Sequence, residues 1–235
     1  MPHPRLAAWL VHMYTAAGLV AAAIMAVLIV RGGDEAFRAV FGLMVVTAVI
    51  DATDGWLARK ARVKEVLPRF DGRTLDDLID FHTYTSLPLL LLWRAQILPG
   101  PLQWLLMLPL LASAYGYSQT DVKTADGFFL GFPSLWNVVA FYLYFGRSPV
   151  WCSASVIMLF SILTFVPSRY LYPSRGGGCA RYFAIGGVVW ALLVVLVLMR
   201  PAADRQTLTL VSMIYPVAYL VLSWTVAARS DKGTV

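Results

Sequence analysis

Charge is scarce in this sequence. Of 235 residues only 14% are charged and 59% are hydrophobic, with a mean hydropathy of +0.69. A soluble domain carries about 25% charged and about 45–50% apolar residues. A water-soluble globular protein is therefore excluded, and a membrane protein is expected. Cysteine is scarcer still. Cys152 and Cys179 both lie in or beside apolar runs; no disulfide framework or thiolate metal site can be built from them, and both are expected to pack. A phosphate loop is also missing: no lysine or serine follows Gly176-Gly177-Gly178 at the spacing such a loop needs, so it reads as a flexible turn. The net charge of +6 does not call for nucleic acid, because excess Lys and Arg in a multispan protein mark its cytoplasmic loops. No low-complexity tract or clear repeat is present. The first apolar run, from Leu6 to Val30, is too long for the apolar core of a signal peptide. No small-x-small cleavage site follows it, so it is expected to stay as a first span.

What the chain has is long apolar runs. Stretches near the length of a membrane crossing fall at about 7–30, 37–58, 76–93, 100–118, 133–146, 151–171, 181–199 and 208–228. The backbone must pair its own polar groups in hydrocarbon, so helices are expected. The expected fold is an all-α polytopic membrane protein, about eight transmembrane helices in one bundle, with residues 1–235 forming a single domain. An even number of crossings puts both termini on one side. Thirteen Lys and Arg gather on the terminal side and six on the other, which makes the terminal side cytoplasmic. The most basic connection runs from Arg59 to Gly72. It interleaves Arg59, Lys60, Arg62, Lys64 and Arg69 with Val63, Val66, Leu67 and Phe70, a pattern suited to an anionic interface as well as to ordinary positive-inside loading. Thr74 followed by Asp77 reads as a capping box opening the third span.

Against this background the acids stand out. Asp51-Ala-Thr-Asp54-Gly55-Trp-Leu-Ala58-Arg59 closes one apolar run, and Gly72-Arg-Thr-Leu-Asp76-Asp77-Leu-Ile-Asp80 opens the next. Acids in hydrocarbon are costly and usually functional. Asp51 and Asp54 are i,i+3 and Asp76 and Asp80 are i,i+4, so on helices each pair shares a face. Two such faces meeting form a four-carboxylate cage suited to hard divalent cations. Cations held this way serve phosphoryl chemistry. Gly55 and Ala58 permit close approach to the backbone, and Arg59 can pair bidentately with a phosphate. Asp80, deepest of its pair, is a candidate ligand or base. The acids alone also leave a cation or proton transporter open.

The pattern Asp51-x-x-Asp54-Gly55-x-x-Ala58-Arg59 followed by Gly72-x-x-x-Asp76-x-x-x-Asp80 resembles the signature of the CDP-alcohol phosphotransferase family. Eight positions match in order. The resemblance implies an integral membrane enzyme that moves a substituted phosphate from a CDP-linked donor to an alcohol and releases CMP. It implies that Asp51, Asp54 and Asp76 bind two divalent ions, Mn2+ or Mg2+, with Asp80 as a further ligand or the general base. Gly55, Ala58, Arg59 and Gly72 would then lie along the CDP moiety. In the family the first span borders the nucleotide, so Thr15 joins the donor site.

Twelve residues separate Arg59 from Gly72, more than the commoner family spacing, and this longer interval is similar to the bacterial phosphatidylcholine synthase branch. The segment from Tyr115-Gly-Tyr117-Ser-Gln119 through Asp126-Gly127-Phe128-Phe129 to Gly131-Phe132-Pro133-Ser134-Leu135-Trp136-Asn137 also resembles that branch. The substrates implied are CDP-diacylglycerol and choline, the location a bacterial inner membrane, and the assembly a homodimer. Choline offers no N–H and is held by aromatic faces. Tyr84, Tyr115, Tyr117, Phe129 and Trp136, with Asp126 as counter-charge, are the residues expected to hold it; an interfacial aromatic belt is the plainer reading of the same residues. Serine, inositol phosphate or glycerol phosphate are the alternative acceptors.

Overall fold

The computed structural model of the chain describes residues 4–120, 128–171, 180–201 and 203–232. It divides into two compact units, residues 1–95 and 96–235.

In the first unit, α1 (Pro4–Arg31) and α2 (Asp34–Lys60) form a helical hairpin. Gly32 and Gly33 make the turn at φ of +73° and +92°, a region that L side chains avoid. Tyr14 meets Thr53 and Thr15 meets Asp54 across the pair, so the helices run antiparallel. α1 buries a face of mostly small residues, Ala8, His12, Thr15, Gly18, Ala21 and Ala22, followed by Met25 and Ile29. Its other faces carry exposed Leu19, Val20, Ile24, Val27 and Val30, the apolar surface that a lipid environment tolerates and water does not. α2 has Asp34 and Glu35 in its first turn and Arg59 and Lys60 in its last, each sign set against the opposite end of the helix dipole.

A short helix α3 (Val63–Val66) leads to α4 (Gly72–Asp80), a π-helical stretch Phe81–Ser86 and α5 (Leu87–Arg94). The expected third span is thus one continuous helical rod with a widened turn in its middle. Its start differs from expectation. The N-cap is Asp71, whose carboxylate accepts from the amides of Arg73 and Thr74 and from the Thr74 hydroxyl. The Thr74 hydroxyl, and then the Thr74 amide, hold the Asp71 carboxyl below the usual carboxylate range. Asp77 is not a capping partner; it pairs with Arg73 at 3.6 Å. The box pattern is present in sequence, but an aspartate immediately before the glycine is a stronger cap because it reaches two free amides at once.

The second unit begins with a 3-10 stretch Gly100–Leu106 running into α6 (Met107–Ser118). It continues through α7 (Trp136–Phe145), α8 (Val150–Phe165), α9 (Ala180–Met199), α10 (Arg205–Ser212) and α11 (Ile214–Lys232). The all-helical expectation needs one correction. Two short strands, β1 (Phe128–Leu130) and β2 (Arg169–Leu171), pair antiparallel with Phe129 opposite Tyr170. β2 occupies the end of the expected 151–171 span, whose helix stops at Phe165. Ser223 and Tyr219 of α11 take up the Leu171 amide and carbonyl, so the strand is tied down despite its length.

Among the described residues, three helices are long and apolar enough to cross a membrane by length and composition: Pro4–Arg31, Asp34–Lys60 and Arg205–Ala228. Trp136–Phe145, Val150–Phe165 and Ile185–Met199 are shorter apolar helices. The chain is a helical membrane protein.

Candidate active site

The last turns of α2 and the length of α4 bring the acids together. One carboxylate oxygen from each of Asp51, Asp76 and Asp80 lies within 4.8 Å of the others. Asp54, the deepest of the four at 6% exposure, accepts a hydrogen bond from Thr15 Oγ1 at 2.9 Å. All four line one recess, completed by Thr15, Gly18, Thr47, Ile50 and Ile79. The expected i,i+3 and i,i+4 faces do meet.

This donor set fits a hard divalent cation. Ligand oxygens sit about 2.0–2.6 Å from Mg2+ or Ca2+, so oxygens on opposite sides of one ion are separated by about 4–5 Å, the spread observed here. Carboxylate oxygens select hard cations over soft ones. Four carboxylates crowded in a low-dielectric recess repel one another, and a bound cation offsets that repulsion.

The neighbouring motif residues occupy distinct positions. A Cβ on Gly55 would meet only Arg59 Nη1, at an ordinary 3.5 Å, so bare backbone faces open space beneath the exposed Arg59. Ala58 is half-buried on the same helix. Gly72 is different: a Cβ there would lie 2.6 Å from Cε1 of His12. Its smallness serves the contact between the start of α4 and α1. Thr15 is engaged with Asp54 inside the recess. Residues that sequence reasoning overlooked are Gly18, Thr47, Ile50 and Ile79. Thr47 stands i−4 from Asp51 and Gly18 stands i+3 from Thr15, so helical spacing from the named acids and threonine could have found them.

Thr15 gives a first prediction. Removing one partner of a buried hydrogen bond costs about 1–3 kcal/mol. Thr15→Val is expected to lower unfolding stability in detergent by about that amount, while Thr15→Ser keeps it. Equal melting midpoints for the valine and serine variants would count against the Thr15–Asp54 bond.

The aromatic residues divide between the units. In the first, Tyr84 leaves the π-helical stretch and donates from its hydroxyl to Asp51 Oδ2 at 2.7 Å. In the second, Trp136 is fully buried and its indole N–H donates to Ser113 at 3.0 Å. Tyr115 is exposed beside Phe165, Tyr117 is half-buried on α6, and Phe129 sits in β1 opposite Tyr170. Asp126 lies outside the described residues. His82 hydrogen-bonds Ser86 at 3.0 Å.

Comparison with known proteins places these residues in context. A stretch of 174 residues, 72% of this chain, is 38% identical to a phosphatidylcholine synthase of Legionella pneumophila and covers 66% of that protein, just under two thirds. A phosphatidylcholine synthase of Borreliella burgdorferi is 34% identical over 169 residues, covering 72% of this chain and 71% of the relative. One from Pseudomonas aeruginosa is 34% identical over 175 residues, 74% of this chain and 72% of the relative. No family model matches the chain.

Proposed function

Because this chain belongs to the phosphatidylcholine synthase family, we propose that it condenses CDP-diacylglycerol with choline to give phosphatidylcholine and CMP. The observation that carries the reading is the single recess lined by Asp51, Asp54, Asp76 and Asp80. Asp51, Asp54, Asp76 and Asp80 are the residues that would hold two divalent ions, Mn2+ or Mg2+. When bound, these supply neutralising charge to the donor phosphates.

The chain's own residues supply the rest. Arg59 pairs with a donor phosphate, and the bare backbone at Gly55, beside Ala58, admits the nucleotide closely. Asp80 accepts the proton of the choline hydroxyl. The choline oxygen then bonds to the phosphorus that bears the lipid, the bond from that phosphorus to the CMP oxygen breaks, and CMP leaves. The acceptor reading rests on sequence: Tyr84 and the aromatics of segment 115–137 are of the residue type that a quaternary ammonium requires. The same reading places the protein in a bacterial inner membrane with eight crossings and both termini in the cytoplasm, as a homodimer.

The test uses purified protein in detergent with CDP-diacylglycerol, Mn2+ and labelled choline. Labelled lipid is expected to appear with an equal amount of CMP and to fall to background on adding chelator. CMP release with serine, inositol phosphate or glycerol phosphate but not with choline would overturn the acceptor and keep the transferase. No CMP release with any alcohol would overturn the reaction.

A further inference from the structure

Tyr84 stands at an unusual place in the fold. It lies in the six-residue π-helical stretch Phe81–Ser86 that begins directly after Asp80. Such stretches are rare inside α-helices and occur frequently at functional sites. The widened turn is supported locally, since the Ser86 hydroxyl donates to the Phe81 carbonyl five residues back at 3.3 Å. It alters the direction in which side chains leave the rod, and from it the Tyr84 hydroxyl reaches Asp51, 33 residues earlier on α2. At 2.7 Å this is a well-formed O–H···O hydrogen bond, at the usual length for such bonds. Asp51 is also one of the three acids whose oxygens converge within 4.8 Å.

We propose that Tyr84 is the positioning residue for Asp51: its hydroxyl takes one carboxylate oxygen and thereby orients the carboxylate in the acid cluster. A free aspartate on the last turns of a helix can rotate about two side-chain bonds, and a fixed hydrogen bond removes that freedom before a cation arrives. Partners of this kind govern ligand geometry at metal sites, and losing one costs about 10–100-fold in metal affinity or activity. The π-helical stretch is then explained by what it delivers. This inference rests on the metal chemistry proposed above, and it assigns the tyrosine hydroxyl to Asp51 whatever the ring faces.

Tyr84→Phe removes the hydroxyl and keeps the ring. Mn2+ binding to purified protein, followed by electron paramagnetic resonance without substrates, is expected to weaken about tenfold or more. The choline KM is expected to stay unchanged. In an Asp51→Asn background the same substitution is expected to have no further effect on Mn2+ binding, which a merely structural tyrosine would not reproduce. Wild-type Mn2+ affinity in Tyr84→Phe would overturn the inference and leave the proposed reaction standing. A raised choline KM with unchanged Mn2+ binding would overturn it in favour of an acceptor contact. Absence of Mn2+ binding to the wild-type protein would overturn the metal chemistry beneath it, and the inference with it.

Discussion

Asp80→Asn is expected to lower turnover by about 10^2–10^4-fold, the usual contribution of a positioned general base, while CDP-diacylglycerol binding stays within a few-fold of normal. Asparagine keeps the size of the side chain and one oxygen for a cation, but its amide cannot take a proton from an incoming hydroxyl. Asp80 is suited to that task by its place: it closes α4, one turn beyond Asp76, and its carboxylate shares the recess with Asp51 and Asp76. Single-turnover kinetics with labelled donor, alongside equilibrium donor binding, separate the two roles open to it. Turnover near the wild-type level would remove Asp80 as the base. Loss of donor binding in step with turnover would make it a ligand first.

The second large effect is expected from Gly18, which the sequence motif does not include. A Cβ on Gly18 would lie 2.8 Å from Cγ2 of Ile79, closer than real side-chain contacts allow. Ile79 is flanked by the acids of α4, is buried, and lines the recess together with Gly18. Its branched Cγ2 sits next to the backbone and cannot swing away, so Gly18→Ala must push α1 and α4 apart. Overpacking of this kind costs about 1–3 kcal/mol. The larger consequence is for catalysis, because a displacement of about 1 Å in a reacting constellation can cost about a hundredfold in rate. Gly18→Ala is therefore expected to lose about a hundredfold in kcat, and adding Ile79→Ala to the same chain is expected to restore most of it. A Gly18→Ala variant with normal kcat and melting midpoint would show that the helices yield without moving the acids.

How much of this was legible beforehand follows from the range of each interaction. The two acid pairs were legible because i,i+3 and i,i+4 spacing fixes a helical face regardless of tertiary context. That the two faces meet required only a short connection between helices, and the acids themselves gave the reason to expect it. The π-helical stretch was not legible. Phe81-His-Thr-Tyr-Thr-Ser carries no signal against an ordinary α-helix, and the shift from i→i+4 to i→i+5 hydrogen bonding shows only in the folded chain. The same holds for the Tyr84–Asp51 and Thr15–Asp54 bonds, which join residues 33 and 39 positions apart. Thr15 could be named from family resemblance, but its partner could not. The strands at 128–130 and 169–171 are too short to show a period of two, and they fall beside runs whose hydrophobicity reads equally well as helix. The cap at Asp71 was overlooked for a different reason: two local patterns competed, and only geometry shows which amides are free.

Every side chain lining the acid recess, and all eight positions of the acid–glycine–arginine pattern, lie within the first 95 residues. A ribosome therefore completes the recess before it reads Gln96. The four carboxylates that are hardest to place in a bilayer are made before any helix of the second unit. The order of synthesis thus delivers the polar lining of the first unit to the bilayer ahead of the apolar helices of the second.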